Sequence, residues 1–193
     1  MQPDRESGHA GQSLTEFALI LPILLVIFVA VADLARVYTT ILSVESAARE
    51  AADWGSFQSS NWLGDASDPT SNRAQTIEGM IQRACTAASN TPDYVPDGGT
   101  GCTNPAFEYA LIDETGADVT DDPTCADEGR EPPCRVKVTL THDFNLIIPL
   151  RISLRDVEFG FPAELTIVRD SVFAMSDLES PGAPATATPT ATP

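Results

Sequence analysis

Between Phe17 and Ala32 the chain runs sixteen residues without a charge, FALILPILLVIFVAVA. Apolar side chains on every face of a segment demand either a protein core around them or lipid. At 1.5 Å per residue the run spans about 24 Å as a helix, against roughly 30 Å for a hydrocarbon core. Its length falls between a spanning helix and the apolar stretch of a signal peptide. Beyond Asp33, apolar residues return at Leu34, Val37, Tyr38, Ile41 and Leu42, then Ala47, Ala48, Ala51 and Ala52. That is the stripe of an amphipathic helix. No glycine occurs from Gln12 to Trp54, and Pro22 is the one proline there. The pattern predicts a single helix from about Ser13 to Trp54, its first half in lipid and its second half projecting from the membrane.

The remaining sequence predicts a small α+β domain over residues 56–178. Residues 55–71, GSFQSSNWLGDASDPTS, read as loop. A second helix is expected from Arg73 to about Ser89, where Ala74, Ile77, Ile81, Ala84, Cys85 and Ala88 form one stripe. Residues 90–106 read as loop, Phe107 to Ile112 as a short strand, and Asp113 to Pro133 as an acidic loop. In CRVKVTLTHDF, Val136, Val138 and Leu140 alternate with polar residues as in a half-buried strand. AELTIVRDSVFAM, Ala163 to Met175, predicts another strand, while FNLIIPLRISL around Pro149 fits neither period clearly. From residue 179 the chain is a low-complexity Pro/Thr/Ala tail, expected to be disordered. The fold class is therefore α+β: a long N-terminal helix packed on a small antiparallel sheet.

Charge and cysteine usage narrow the environment. Acidic residues outnumber basic ones by 28 to 11, a net charge of −17. A field this negative repels nucleic-acid phosphates, so no nucleic-acid partner is expected. Cys85, Cys102, Cys125 and Cys134 all follow the apolar run. An even number of cysteines beyond such a segment predicts two disulfides in an oxidising compartment. Four cysteines allow three pairings; Cys85–Cys102 and Cys125–Cys134 are favoured because each closes a short loop rich in Gly, Pro and Asp. No pair has the spacing of a zinc site.

Signs of catalysis are sparse. His142 shares strand parity with Val136 and Leu140, which predicts a packed histidine rather than a base. No G-x-S-x-G, H-E-x-x-H, P-loop or dinucleotide fingerprint occurs. In DETGADVTDDPTCADEG, residues Asp118, Asp121, Asp122, Asp127 and Glu128 offer oxygen ligands but lack the EF-hand order. A solvated loop is expected there, with no metal or cofactor and no enzymatic activity. Trp54 and Trp62 are expected to cover the core near the helix end.

The most specific segment is GQSLTEFALILP, Gly11 to Pro22. A carboxylate at the edge of a spanning helix is costly unless paired, so Glu16 calls for a partner. Cleavage after Gly11 would free an ammonium on Gln12 and leave Glu16 as the fifth residue, able to be neutralised within a bundle of such helices. This arrangement resembles the processing site of type IV prepilins. With ALILP and SAAREAADWG (Ser46 to Gly55), it looks most like the TadE-like pseudopilins of the tight-adherence (Flp) pilus system. VKVTLTHDFNLIIPL and AELTIVRDSVFAMS are similar to that family's strand blocks.

The resemblance implies a leader over residues 1–11, cut by a prepilin peptidase between Gly11 and Gln12, and a transmembrane helix with its extension over 12–55. It implies that Glu16 and Phe17 set helix register among other pilin-like subunits and the pilus assembly machinery. The leader would lie in the cytoplasm, the helix in the inner-membrane bilayer and the C-terminal domain outside. The alternative is a soluble secreted binding module, since Ala30-Val31-Ala32 is an A-x-A pattern at which a signal peptidase could cut before Asp33.

Overall fold

The computed structural model describes residues 10–147, 151–154, 157–160 and 163–176. Its first element is one uninterrupted helix, α1 (Ala10–Gly55), which starts a few residues earlier than the pattern predicts and ends one residue later. The end is built rather than frayed. Ser56 turns back through its N–H and hydroxyl to the Asp53 carbonyl (3.1 and 2.8 Å), and the Trp62 indole N–H donates to the Gly55 carbonyl at 2.9 Å. Carbonyls that lack helical partners at a C-terminus are satisfied in this way.

A short 3₁₀ turn (Ser59–Trp62) leads to α2 (Asn72–Ala88), whose N-cap is Ser71: its hydroxyl accepts from Ala74 N–H at 3.1 Å. Then come β1 (Val95–Pro96), β2 (Cys102–Asn104) and β3 (Ala106–Ile112), followed by a second 3₁₀ turn (Pro123–Ala126) in the acidic loop. The last strands are β4 (Arg135–Asn145), β5 (Arg151–Leu154), β6 (Val157–Gly160) and β7 (Glu164–Ala174). The main sheet has the order β3-β4-β7, while β1-β2 and β5-β6 are separate two-stranded pairs. β3 and β4 are antiparallel, with Leu111 opposite Val136, Tyr109 opposite Val138 and Phe107 opposite Leu140.

The chain divides into two compact units. One holds the chain up to Thr39 together with Phe144–Leu165; the other holds Thr40–Asp143 and the chain from Thr166 on. The boundary between these units falls within α1.

The second unit contains the core. Val44, Ala47, Ala48, Ala51 and Ala52 of α1 pack with Met80, Ala84 and Ala88 of α2 and with Val136, Val138 and Leu140 of β4. The alternation read in the sequence is the burial pattern of β4, and His142 continues it fully buried. Alanine on α1 lets its axis come close to its neighbours. Two glycines on the helices mark close approaches: a Cβ added at Gly55 would lie 2.6 Å from the Met80 sulfur, and one at Gly79 would lie 2.6 Å from Trp54 Nε1. Trp54 is sandwiched further by Arg83, whose guanidinium lies 4.0 Å from its ring centroid. Trp62 is buried and meets Tyr109 at 5.7 Å between ring centroids.

Two disulfides are present, Cys85–Cys102 and Cys125–Cys134, and no cysteine is free. The first ties α2 to β2. Residues 90–106, read as loop from the sequence, contain the β1–β2 pair. Asn104 braces this region: its side-chain amide donates to the carbonyls of Asp93 (2.7 Å) and Asp143 (2.8 Å), and its Oδ1 accepts from Asp143 N–H (2.9 Å). One side chain thereby supplies the hydrogen bonds of a missing ladder rung. The ambiguous FNLIIPLRISL stretch contributes the end of β4 and all of β5; residues 148–150 within it lie outside the described residues, as do the leader through residue 9 and the Pro/Thr-rich tail.

Gly79→Ala tests the α2–Trp54 contact. Alanine favours the helix by about 1 kcal/mol, but overpacking against a held indole costs about 1–3 kcal/mol. The full chain in detergent should unfold at lower temperature than wild type; an unchanged or raised midpoint would show that Trp54 is free to move aside.

Candidate functional site

The N-terminal part of α1 is helical across the Gly11–Gln12 bond. From Leu14 onward its side chains are exposed almost without exception: Leu19 is 75% accessible and Phe28 72%, and Phe17, Ile20, Ile23, Leu25 and Ile27 are also exposed. This distinguishes the segment from the core helix of a soluble domain, which would bury an equally apolar sequence. By length and composition α1 is a candidate membrane span. Glu16 is exposed at the start of this surface, one residue before Phe17.

At the other end of the apolar run lies an arrangement that the sequence reading missed. Asp33 is buried, though it is the first charge after sixteen uncharged residues. Arg36, one turn on, donates to its Oδ1 at 3.2 Å. The backbone N–H of Ile147 donates to the same carboxylate, 3.1 Å from Oδ2 and 3.3 Å from Oδ1. The Arg36 guanidinium also lies 5.0 Å from the ring centroid of the buried Phe144. A carboxylate removed from water is tolerated when charge-assisted hydrogen bonds replace its hydration. Asp33 therefore does not break the helix's apolar course. It fastens residues 144–147 to the turn at which that course ends. A sequence signal existed in the Asp33/Arg36 spacing of i, i+3, but the partner is 114 residues away.

His142 is fully buried, with Nε2 2.8 Å from the Pro92 carbonyl, an acceptor that requires the hydrogen on Nε2. Burial pushes its pKa down, so the ring is a neutral donor holding a loop to β4. A cavity of about 130 Å³ is lined by Trp62, Leu63, Arg73, Leu111, Thr120 and Cys125 among others. Arg73 is anchored there by its bond to the Thr120 carbonyl at 3.0 Å. A more open depression of about 660 Å³ lies on the acidic loop, lined by Tyr109, Asp118, Val119, Thr120, Asp121 and Asp122.

The acidic loop is a set of local turns. Asp113, Asp118 and Asp122 each accept from the hydroxyl and N–H of the threonine two residues on, at 2.6–2.9 Å. Asp65 with Ser67 and Asp68 with Thr70 repeat the motif. Among the described residues no group of His, Cys, Asp or Glu is arranged to hold a metal ion. Arg130 closes this region, donating to Thr124 Oγ1 at 2.7 Å and lying 3.0 Å from the Cys134 sulfur.

Residues 11–53 match the sequence model of a family described as TadE-like protein. The match begins at Gly11 and ends two residues before the end of α1, so the helix carries it. The strand blocks around β4 and β7 lie outside it. The N-terminal helix is thus similar to that of TadE-like proteins. No curated protein and no solved structure matches the chain.

The threonine hydroxyls, with the backbone N–H groups beside them, hold the Asp113, Asp118 and Asp122 carboxyls below the usual carboxylate range. Because the folded-state values are depressed, the turns are complete above the unfolded value and are lost as pH falls through the folded ones. Carboxyl-carbon NMR titration should place all three below the ordinary aspartate range. Thr120→Val should return Asp118 toward the ordinary value, while Asp113 stays low.

Proposed function

We propose that this chain is a membrane-anchored, minor pilin-like (TadE-like) protein acting in assembly of a tight-adherence pilus. The observation that supports the reading best is a coincidence. The residues that match the TadE-like family are the same residues that form one continuous helix with an uncovered apolar surface. In this reading residues 17–32 lie in the inner membrane, the leader faces the cytoplasm, and the disulfide-bonded part lies outside, where thiols oxidise.

Glu16 carries the mechanism. A carboxylate near the bilayer centre costs about 2.5–3.5 kcal/mol, and less toward the interface. Cleavage by a prepilin peptidase after Gly11 leaves Gln12 with a free ammonium four residues upstream of Glu16, on the same helix face one turn away. Either that ammonium or one on a neighbouring pilin-like subunit neutralises the carboxylate. Pairing between subunits fixes axial register, because a helix slipped by one turn leaves a charge unpaired in lipid. Phe17 adds an apolar contact at the same level. The protein works by packing and presenting a surface to the assembly machinery, with no reaction of its own.

Replacing Glu16 with Ala should leave membrane insertion intact and lower piliation about tenfold or more, the effect of losing ~1.4 kcal/mol or more of subunit association. Unchanged piliation would remove the register role. N-terminal sequencing of the mature protein from membrane and secreted fractions tests the processing step. Gln12 at the new terminus supports it. Asp33 would instead establish a soluble product released after Ala32, and an intact leader would leave a plain anchor.

A further inference from the structure

The two disulfides differ in what faces their sulfurs. At Cys125–Cys134 the Arg130 guanidinium lies against the bond itself, with Nη1 3.0 Å from the Cys134 sulfur and 3.3 Å from that of Cys125. The same nitrogen donates to Thr124 Oγ1 at 2.7 Å and lies 3.4 Å from Asp122 Oδ2. At Cys85–Cys102 the polarity is opposite: the Cys102 sulfur sits 3.3 Å from the Pro105 carbonyl oxygen. Sulfur is a weak acceptor, so a charged donor gains little from a disulfide while the bond is intact. A thiolate carries a full charge, and a guanidinium beside it forms a charge-assisted hydrogen bond and lowers the thiol's pKa. A thiolate at Cys102 would face a carbonyl oxygen instead.

The Cys125–Cys134 bond is also polarised between its ends. The Cys125 sulfur lies 3.9 Å from the Val119 carbonyl oxygen, whereas Cys134 has the shorter guanidinium contact. Cys134 is therefore the better leaving group, and Cys125 the sulfur to be attacked. Both cysteines are buried at the floor of a dimple of about 20 Å³. That volume holds a single water, so exchange requires the cover to lift. The cover is short and polar: Asp127, Glu128, Gly129, Glu131, Pro132 and Pro133 are exposed, and Arg130 turns back onto the bond. Residues 121–131 hold five acids and one base, so Arg130 is the one group of this segment that can neutralise a thiolate. The charges near the pair are Arg130, Asp122 and Asp127; Ser59 of the 3₁₀ turn and Met175 after β7 also line the dimple and carry none.

We propose that Cys125–Cys134 is a thiol–disulfide exchange site, reduced ahead of Cys85–Cys102 by a dithiol, with Arg130 stabilising the departing thiolate. One thiolate of the dithiol attacks the Cys125 sulfur. The S–S bond breaks and its electron pair goes to Cys134, whose thiolate Arg130 holds. The dithiol's second thiolate then attacks its own sulfur in the mixed disulfide, and Cys125 leaves and is protonated. The dithiol ends as a disulfide, having given two electrons; of its two protons, one goes to Cys125 and one to solvent. In the product, the segment from Ala126 to Pro133 is no longer tied across to the start of β4. An oxidised dithiol reverses the sequence. The site is separate from the assembly role of α1 and needs no bilayer.

The test uses the full chain in detergent, with dithiothreitol as the dithiol over a range of reduced-to-oxidised ratios. Acid quenching, alkylation with N-ethylmaleimide and peptide mass spectrometry report each pair separately. Cys125–Cys134 should be half reduced at a ratio about tenfold or more below that needed for Cys85–Cys102. In the singly reduced protein, alkylation of Cys134 by iodoacetamide should have its pH midpoint below the free-cysteine value of about 8.5. Arg130→Gln should raise the ratio needed about tenfold and return the midpoint to about 8.5 or above, with the Cys85–Cys102 equilibrium unchanged. Arg130→Lys should keep part of both effects. Reduction of Cys85–Cys102 first would overturn the proposal, and so would an ordinary Cys134 midpoint in the wild-type protein, a result that no variant's folding can obscure. Easier reduction of Cys125–Cys134 in Arg130→Gln would also overturn it, since the arginine would then serve only to hold the loop shut.

Discussion

A helix that passes from lipid to water must change from apolarity on every face to apolarity on one, and a charge placed at the change must not be left without partners. In the membrane-anchored reading of α1, that charge is Asp33. Arg36 and the Ile147 N–H supply the hydrogen bonds that water would otherwise provide, so α1 continues as one helix for another six turns. The second half of α1 then offers the alanine stripe on which α2 and β4 assemble.

The stripe itself is an exercise in small volumes. Ala47, Ala48, Ala51 and Ala52 have little area to bury, so each contributes less than the Leu or Ile more usual in a core. Close approach compensates: Gly55 against Met80 and Gly79 against Trp54 leave no room for a methyl group. Two disulfides add what a core of this kind lacks, one anchoring α2 to β2 and the other closing the acidic loop onto the start of β4. Short loops closed in this way are worth about 2–3 kcal/mol each in the chain-entropy account.

Much of the fold was legible because it is periodic. The i, i+3, i+4 stripe gave both helices, and the alternation of Val136, Val138, Leu140 and His142 gave β4 with its buried face. What was not legible depends on single side chains acting across long separations. β2 is braced by Asn104, which bridges Asp93 and Asp143, and no local pattern announces that. The β5–β6 pair follows a proline in a stretch that suits helix and strand alike. At the candidate site, the apolar run, Glu16 and the TadE-like segment stood out by composition and motif. The role of Asp33 did not, because a helix-flanking Asp with an i+3 Arg looks the same on any solvated helix. The five Asp-x-Ser/Thr turns were present as a repeated dipeptide spacing, masked by their resemblance to a set of cation ligands.

The two cross-links also make the packing of this unit conditional on redox state. Cys85, Cys125 and Cys134 are buried, and the two bonds tie α2 to β2 and the acidic loop to the start of β4. Under reducing conditions all four would be thiols and both tethers would be lost, leaving a core of small side chains to hold these elements by packing alone. Oxidation therefore acts on this unit as a lock.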